Sequence, residues 1–557
     1  MMISKLFTMK RLLLFLPVIF LLGGISRPST YDIIIYGGTS AGVMAAVQSA
    51  RMGKSVLLIS PSAHLGGLSS SGLGWTDLGK SNTIGGLSLE FYQSLNKYYE
   101  SKDAWRQETR EEFISKVKEG NQWDRVMLPR DGMMPVFEPR AAESVFEDFI
   151  KKYKIDIVKG KWLNREEGVI KSSGKIRSIK MLSGEVYFGK VFIDATYEGD
   201  LMAAAGVSFT VGRESNDQYK EYFNGIRTAN ALKNQLPPGI DPFVKKGDFS
   251  SGLMKDINPG AGGIDGNGDK KIQAYCYRMC LTNDPSNRVM VQKPVNYKEP
   301  DFEIVLRAAE SGWATYFKLD RMPNKKTDSN NSGGISTDYI GMNYNYPEAS
   351  YAERNLIEKA HIYWQAGLIW TLQNHPRVPD SIRNRYKEWG LAKDEFTDND
   401  HWPYQIYVRE GRRMVSDLVI TEHYCLNEIM AKRPIALGSY TMDSHNVQRY
   451  LAKNEKGAYY IRNEGDVQNP VAKPYPIDYG SIVPRKVECT NLIVPVCLSA
   501  SHIAYGSIRM EPVFMMLGQS AATAAAISIE NNVPVQDIKY SKLKERLLKN
   551  KMILIGE

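Results

Sequence analysis

The side chains best suited to acid–base chemistry lie near the C-terminal end of the chain. His502 ends residues 499–502, and Arg509 begins residues 509–512. An imidazole can remove a proton from a substrate hydroxyl or amine, and a guanidinium can hold an anionic substrate or stabilise a reduced cofactor. We therefore predict catalytic roles for His502 and Arg509. A histidine that caps a helix, and an arginine that binds a phosphate or a carboxylate, are the structural alternatives.

Other imidazoles and guanidiniums are weaker candidates. The segment Tyr407–Arg413 contains three arginines. This pattern predicts a helix that carries cations towards a site or, equally, a salt-bridged surface helix. His445 lies further along the chain. His64, near the N-terminal end, is a candidate for cofactor contact and a weak one for a covalent bond to a cofactor.

Residues 31–59 have the pattern of a Rossmann mononucleotide unit. Residues 31–36 are a short apolar run typical of a buried strand, residues 43–52 are rich in small helix formers, and residues 55–59 indicate a second strand. The turn before the helix would point backbone amides and the helix N-terminus at a pyrophosphate. We predict that this turn binds the cofactor through Gly37, Gly38, Thr39, Ser40, Ala41 and Gly42.

Two positions depart from the usual fingerprint of such a turn. Thr39 stands where G-x-G-x-x-G has its middle glycine, so the backbone there leaves less room for a phosphate. Ser60 follows the second strand, where an acidic residue usually accepts hydrogen bonds from a ribose. A hydroxyl can accept such bonds only weakly, but we include Ser60 among the cofactor-binding residues.

The next loop favours FAD over NAD. It contains His64, Gly66-Gly67 and residues 72–77, and paired glycines are expected where a loop passes close to a flavin nucleotide. We predict that His64, Gly66 and Gly67 contact the cofactor. No second G-x-G-x-x-G lies between a strand and a helix, so a separate NAD(P)H domain is not visible in the sequence.

The middle of the chain first continues the cofactor domain. Short strands are expected at 186–188 and 191–196, and the second leads through a Gly-Asp turn into a small-residue helix at 201–205. We assign Asp194, Gly199 and Asp200 to cofactor binding. From about residue 210 to 480 aromatics and Asn/Asp increase and the periodicity weakens, which indicates an inserted substrate domain.

The C-terminal part returns to the first pattern. Residues 491–496 indicate a strand, and residues 513–529 indicate a helix dense in Ala, Gly and Ser. Small residues allow this helix to pack closely, and its positive end would face the flavin. Gly518 and Gln519 are the predicted cofactor residues of this helix. A buried Ala-rich core helix is the alternative.

These segments resemble the FAD-dependent oxidoreductases related to the fumarate reductase and glutathione reductase FAD fold, and most closely the exported bacterial members of unassigned substrate. The resemblance rests on residues 36–42, 64–67, 72–77, 194–200, 407–413, 438–445 and 501–519, which span nearly the whole chain. It implies FAD and redox chemistry. Fold and cofactor do not fix a substrate.

The N-terminal end has the order of a secretory signal peptide. Lys10-Arg11 precedes an apolar run from Leu12 to Leu22, and small residues follow. We expect residues 1–27 to be removed, an exported and periplasmic protein, and no stable membrane span afterwards; an uncleaved anchor is the alternative. The five cysteines include no Cys-x-x-Cys, so no metal site is expected and at least one cysteine stays free.

Composition and length indicate a large globular protein. The chain has 557 residues, 43% hydrophobic and 24% charged, and a net charge of +9 without an arginine-rich block, so a nucleic-acid partner is not expected. We predict an α/β fold: a Rossmann-like FAD-binding domain built from both chain ends (28–210 and 481–557) around a large mixed α+β substrate domain (211–480).

The predicted activity is FAD-dependent oxidoreduction, with hydride transfer between an unidentified small substrate and flavin N5 and an unknown electron acceptor. The 31 Tyr and 9 Trp suit stacking on a carbohydrate-derived alcohol, although core and rim aromatics explain the count equally well. Two alternatives remain open. One is an exported binding protein with a nucleotide fold and no catalysis, and the other is a carbohydrate lyase with non-redox or transient use of flavin.

Overall fold

The computed structural model describes residues 30–119 and 132–556. In these ranges the helices are α1 Ser40–Arg51, α2 Gly86–Tyr98, α3 Arg110–Glu119, α4 Pro139–Lys152, α5 Asp200–Ala204, α6 Asn216–Tyr219, α7 Glu303–Glu310, α8 Tyr351–Asn374, α9 Asp380–Lys387, α10 Glu422–Cys425, α11 His502–Ile508, α12 Glu511–Asn531 and α13 Tyr540–Lys549. The predicted signal peptide, residues 1–27, lies outside the described residues.

The strands of the same ranges fall into one large sheet and several smaller ones. They are β1 Thr30–Tyr36, β2 Val56–Ser60, β3 Asp156–Lys159, β4 Val169–Ser172, β5 Lys175–Lys180, β6 Val186–Asp194, β7 Phe209–Thr210, β8 Met279–Thr282, β9 Arg288–Val289, β10 Asp320–Met322, β11 Lys326–Ser329, β12 Gly390–Ala392, β13 Arg413–Met414, β14 Pro434–Gly438, β15 Met442–Ser444, β16 Gln448–Lys453, β17 Tyr459–Glu464, β18 Val467–Asn469, β19 Tyr475–Asp478 and β20 Leu492–Ile493.

The large sheet is built on β1. Its residues Ile33, Ile34 and Ile35 are fully buried, as expected for the central strand of a parallel sheet covered on both faces. The strand order is β3-β2-β1-β6-β5-β4, and β20 pairs in parallel with the end of β6. This is the predicted α/β class: β3, β2, β1, β6 and β20 pair in parallel, and β5 and β4 extend the sheet in antiparallel pairing. The predicted domain boundaries remain a prediction.

A helix near the start of the chain, α1, packs against a helix near its end, α12. Helix α12 lies along α1, and Gln48 on α1 donates a hydrogen bond of 3.2 Å to Thr523 on α12. At Gly518 a β-carbon would lie 2.2 Å from the carbonyl oxygen of Ala41, so the helices touch at a glycine. Although α12 is long and apolar enough to cross a membrane, it is almost wholly buried here, as a core helix is.

One strand differs from the expectation for this sheet. The sequence predicts two separate strands at 186–188 and 191–196, but β6 runs without a break through Gly189. Gly189 pairs with Tyr31 of β1, and a β-carbon there would lie 3.0 Å from the Ile34 side chain. This glycine therefore allows close packing inside a strand and does not mark a turn.

The middle of the chain contains more regular structure than its composition indicates. An antiparallel sheet has the order β10-β11-β8-β12-β9, and α8 runs for 24 residues. Helix α8 begins with a capping box, in which Ser350 accepts from the backbone of Glu353 and Glu353 accepts from the backbone of Ser350.

The segment Tyr407–Arg413 is not a helix. It is irregular up to Arg413, where β13 begins. Its arginines are buried and bind different carboxylates: Arg409 binds Asp338, and Arg412 binds Asp200. An extended backbone points successive side chains in different directions, whereas a helix would place residues 409, 412 and 413 on one face.

The five cysteines are buried thiols. Each of Cys276, Cys280, Cys425, Cys489 and Cys497 is free, so no disulfide joins the described residues. Burial raises the pKa of each thiol, which disfavours the thiolate that reacts and binds metals.

We expect Gly518→Ala to destabilise the fold. The added β-carbon would lie 2.2 Å from a backbone oxygen of α1, and the helices must separate to accept it. Overpacking of this kind costs about 1–3 kcal/mol of unfolding free energy, measured by urea denaturation. Gly260→Ala is the matched control, because no heavy atom lies within 4 Å of its β-carbon position. Equal stability of the two variants would contradict close packing at Gly518.

Candidate active site

A cavity of about 680 Å³ lies at the carboxyl ends of β1, β2 and β6. Helix α8 and residues 404–406 close its far side. A crevice at this edge of an α/β sheet is where nucleotides bind. The predicted cofactor residues that line it are Gly37, Gly38, Thr39, Ser60, His64, Gly67 and Asp200.

The turn after β1 forms one wall of this cavity. Gly37 has φ +117°, and a β-carbon on it would lie 2.6 Å from the carbonyl carbon of Ala195. Thr39 caps α1: its hydroxyl accepts from Gly42 N at 3.3 Å and donates to Ala195 O at 2.7 Å. The threonine at the middle glycine position thus fixes the turn to the end of β6, with the N-terminus of α1 at the cavity. This arrangement suits an anionic pyrophosphate.

Ser60 presents an unsatisfied hydroxyl beside the turn. Its Oγ is buried and has no hydrogen-bond partner among the described residues, and a β-carbon at Gly38 would lie 2.4 Å from it. A buried hydroxyl without a partner costs free energy. A ribose hydroxyl of a dinucleotide can supply the missing partner, so the residues present fit the cofactor expected from the sequence.

Glu511 joins the cofactor turn to the C-terminal helix. Its carboxylate accepts hydrogen bonds from Ser40 (2.5 Å), Ser69 (3.0 Å) and Tyr197 (2.7 Å). Burial raises the pKa of Glu511, and the three hydroxyl donors oppose this effect only in part. In the sequence Glu511 stands two residues after Arg509, and nothing local indicates its role, because its partners are distant in the chain.

Asp200 lies on the cavity wall within a cluster of arginines. It binds Arg354 at 2.6 Å, Arg412 at 2.8 Å and Arg165 at 3.2 Å. Burial raises the pKa of Asp200, but the hydrogen bonds and charges of these arginines outweigh that effect and lower it. Asp200 is therefore an anion that holds Arg354 at the cavity.

Asp194 and Gly199 shape the segment between β6 and α5. Asp194 accepts from Thr196 N at 3.0 Å and from Met202 N at 2.7 Å. Gly199 takes a left-handed conformation, φ +67°, immediately before α5. These two predicted cofactor residues hold the backbone that carries Thr196, which lines the cavity.

The remaining predicted cofactor residues lie off the cavity wall. Gly42 and Ala41 are in α1, Ala41 against Gly518. Gly66 N donates to Gly38 O at 2.8 Å, which fixes the loop to the turn. Gln519 Oε1 accepts from Leu87 N at 2.7 Å, so this side chain anchors the start of α2. These residues therefore pack behind the cavity and do not line it.

His64 lines the cavity with both ring nitrogens engaged. Nδ1 lies 2.9 Å from Glu143 and Nε2 lies 3.1 Å from Asp398. Its ring stacks on Tyr404 with centroids 3.4 Å apart. Burial lowers the pKa of His64, but the two carboxylates outweigh this effect and raise it. Because both ring nitrogens contact carboxylates, neither is free in this geometry for a covalent bond to a cofactor.

Sequence reasoning missed a pair of acids on the opposite wall. Glu198 and Glu358 both line the cavity, and Tyr346 donates to Glu358 at 2.8 Å and to Glu198 at 3.5 Å. Burial raises the pKa of Glu198 to about 7 and also raises that of Glu358. Nothing in the local sequence links positions 198, 346 and 358.

His502 and Arg509 do not line this cavity. The sequence predicted that His502 lies in a turn, but His502 is the first residue of α11. Its Nδ1 lies 2.7 Å from the carboxylate of Glu410, and Arg413 binds the same carboxylate at 3.0 Å. Burial raises the pKa of Glu410, but the charges of His502 and Arg413 outweigh this effect and lower it to about 2. Arg509 follows α11 and donates to Tyr407 Oη and to Asp443, both at 2.7 Å.

Arg509 belongs to a second polar group, which we call the Tyr407 cluster. Three guanidiniums, those of Arg278, Arg409 and Arg509, lie 5.8, 4.4 and 5.6 Å from the Tyr407 ring centroid. The other members of the cluster are Asp77, Asp328, Asp338, Tyr440, Asp443 and His445.

The site and fold are those of a flavin-dependent oxidoreductase. The family described as FAD dependent oxidoreductase matches residues 32–547, and the chain belongs to that family. This confirms the predicted enzyme class and the predicted cofactor, FAD.

Similar solved structures include L-proline dehydrogenase from P. horikoshii (16% identity, TM-score 0.21) and L-amino acid deaminase from Proteus vulgaris (14% identity, TM-score 0.23). Each match covers 34% of this chain, and the chain spans 59% and 53% of those structures. A 3-ketosteroid-Δ4-(5α)-dehydrogenase from Rhodococcus jostii RHA1 matches over 33% of this chain and 50% of its own, with 14% identity and a TM-score of 0.19. No curated protein matches significantly.

We expect FAD to bind less tightly as pH rises. The pyrophosphate adds negative charge to a cavity that already holds Glu198 and Glu358, so binding raises the pKa of these acids and takes up protons. The FAD dissociation constant, followed by flavin fluorescence quenching, should increase between pH 6 and 8.5, by at most about tenfold per pH unit for each proton. Glu198→Gln should flatten this dependence, and Glu348→Gln, an exposed neighbour of Tyr346, should not. Tighter binding at high pH would contradict this account.

Proposed function

We propose that the protein transfers a hydride between an uncharacterised small substrate and FAD. The observation that carries this proposal is the cavity beside β1, with its glycine turn and the unpartnered Ser60 hydroxyl. When bound, FAD supplies a two-electron acceptor at N5 of its flavin ring. The electron acceptor that completes the cycle is a partner from outside the chain.

The chain's own groups would hold the cofactor as follows. The turn at Gly37–Thr39 and the N-terminus of α1 face its phosphates, and Ser60 takes a ribose hydroxyl. Arg354 is a cation on the cavity wall, and His64 lies on the same wall between two carboxylates. The N-terminus of α12, which Glu511 ties to Ser40, places a positive helix end at the same region.

The proton of a substrate hydroxyl or amine also needs an acceptor. His502 and Arg509 are the candidates from sequence. Arg509 is buried and remains a cation, since burial lowers its pKa but Tyr407 and Asp443 outweigh this effect and raise it. As a member of the Tyr407 cluster, it can stabilise negative charge within that cluster.

We expect the purified protein to contain non-covalent FAD. Its visible spectrum should show flavin bands, and acid precipitation should leave the colour in the supernatant because His64 has both nitrogens engaged. Gly38→Val should abolish the bands, since its β-carbon would meet Ser60 Oγ at 2.4 Å, whereas Gly260→Val should keep them. Circular dichroism checks that both variants fold. A colourless protein that FAD cannot reconstitute would leave the non-catalytic binding protein as the better proposal.

We also propose that the protein is exported, on the basis of the basic and apolar order at residues 10–22. Expressed in a Gram-negative host, the full chain should appear in the periplasm with a new N-terminus near residue 28, found by mass spectrometry. Replacing Leu13 and Leu14 by Arg should keep it in the cytoplasm with its initial residues intact. A periplasmic protein that retains residues 1–27 would instead support an uncleaved anchor.

A further inference from the structure

Two exposed apolar side chains lie in the wall of the cavity beside β1. Trp162 and Leu182 both line this cavity, and they are 44% and 60% exposed. A single large apolar side chain open to water is ordinary, but these two share one concave site. Such a wall is suited to cover a flat or apolar part of a ligand.

Trp162 stands at the carboxyl end of the sheet, next to the end of β2. It follows β3 by three residues, and Lys161 N donates a hydrogen bond of 3.0 Å to Ser60 O, the last residue of β2. Leu182 N donates to Trp162 O at 2.8 Å, which brings Leu182 to the same place. The two apolar side chains therefore belong to segments that lie beside Ser60, whose hydroxyl has no partner among the described residues.

The backbone after Trp162 is held from both sides of the cavity. Leu163 N donates to Tyr36 Oη at 2.9 Å at the end of β1, and Tyr351 Oη on α8 donates to Leu163 O at 3.0 Å. The Tyr351 and Trp162 rings meet edge to face, with centroids 4.7 Å apart and planes at 63°. In such a pair at least one face of the indole is not covered by Tyr351. The indole is thus held in place before any ligand arrives, which lowers the entropy cost of binding.

Contacts suited to a base, a sugar and a phosphate follow one another along this wall. The Trp162 indole is one residue away from the backbone bond to Ser60, whose hydroxyl suits a ribose. A β-carbon on Gly38 would lie 2.4 Å from Ser60 Oγ, and Gly38 belongs to the turn that suits a pyrophosphate. In a nucleotide the base is bonded directly to the ribose and the ribose bears the phosphate. In the flavin half of FAD an open ribityl chain separates the ring from the phosphate, so the short spacing at Trp162 favours the adenine half.

A more buried part of the cavity wall is better suited to the flavin ring. Ser70 and Ser71 line the same cavity and are only 1% and 2% exposed. A ring that exchanges a hydride needs protection from water, whereas adenine takes no part in the chemistry. The exposed wall at Trp162 and Leu182 therefore fits the unreactive end of the cofactor.

We infer that Trp162 and Leu182 bind the adenine ring of FAD, with the indole stacked on the base, and that Tyr351 of α8 supports this indole. The inference deepens the proposed function and rests on FAD being the ligand of the cavity. Aromatic side chains stack on bases because every base has a π-face. The site consequently binds adenine nucleotides by themselves and selects FAD over FMN, which has no adenine.

The first test compares fragments of the cofactor on the full chain after its FAD has been removed. Return of the flavin bands on adding FAD shows that the site is intact. In isothermal titration calorimetry AMP and ADP should bind and should compete with FAD. Ribose 5-phosphate, which has the sugar and phosphate without the base, should bind more weakly than AMP. Equal affinity for AMP and ribose 5-phosphate, or no binding of ADP, would overturn the inference.

The second test isolates Trp162. Trp162→Ala should raise the dissociation constants of ADP and FAD about 5–150-fold, the usual loss for one stacked base. Trp162→Phe keeps a flat ring and should bind ADP nearly as the wild type does, but ADP should no longer quench the tryptophan emission that it quenches in the wild type. Trp370→Ala is the control, because Trp370 is a partly exposed tryptophan of α8 that does not line the cavity. Circular dichroism checks that each variant folds.

Leu182 supplies an independent variant on the same wall. Leu182→Ser should weaken ADP binding by a smaller factor than Trp162→Ala does, and Leu232→Ser should not weaken it, since Leu232 is 75% exposed outside this cavity. Wild-type affinity for ADP and FAD in both Trp162→Ala and Leu182→Ser would overturn the inference alone. So would weaker binding of FMN in Trp162→Ala with ADP binding unchanged, because the flavin ring would then lie against the indole. Bound FAD that no substrate reduces would contradict only the proposed hydride transfer.

Discussion

The buried carboxylate of Glu511 is the contact on which the geometry of the cofactor site depends. It receives hydroxyl donors from the start of α1, from the loop after β2 and from the segment after β6. A buried carboxylate needs such donors to offset its lost hydration. The carboxylate of Glu511, at the start of α12, therefore fixes these three segments to one another. The orientation of the turn after β1 therefore depends partly on α12.

The need to pair buried charges also determines the structure of the middle of the chain. Each buried arginine of Tyr407–Arg413 needs a carboxylate, and these carboxylates come from α5, from residue 214 and from residue 338. Breaking one such pair would leave an uncompensated buried charge, which is costlier than any local backbone preference. The segment consequently follows the positions of its partners and stays extended. The Tyr407 cluster shows the result, because each of its three arginines pairs with an aspartate.

Sequence predicted those features whose causes are local. The strand–turn–helix–strand at β1, α1 and β2 follows from apolar runs and glycines within thirty residues, and α12 from its small-residue composition. Helix α8 had a local signal that sequence reasoning missed, the Ser-x-x-Glu box at Ser350 and Glu353. The Ser40–Glu511 contact joins residues 471 positions apart, and no spacing rule reaches that far. The contact between His445 and Asp338 joins residues 107 positions apart, and it could not be predicted from the sequence for the same reason.

The order of synthesis adds a consequence to the pairing of β20 with β6. While the ribosome is still making the middle of the chain, β6 lacks the neighbour that residues 492–493 later provide, and α1 lacks its cover from α12. An open strand edge and an apolar helix face are sites of misassociation. The N-terminal unit therefore exposes both features until the C-terminal segments pair with it, so its fold is completed only by the last part of the chain.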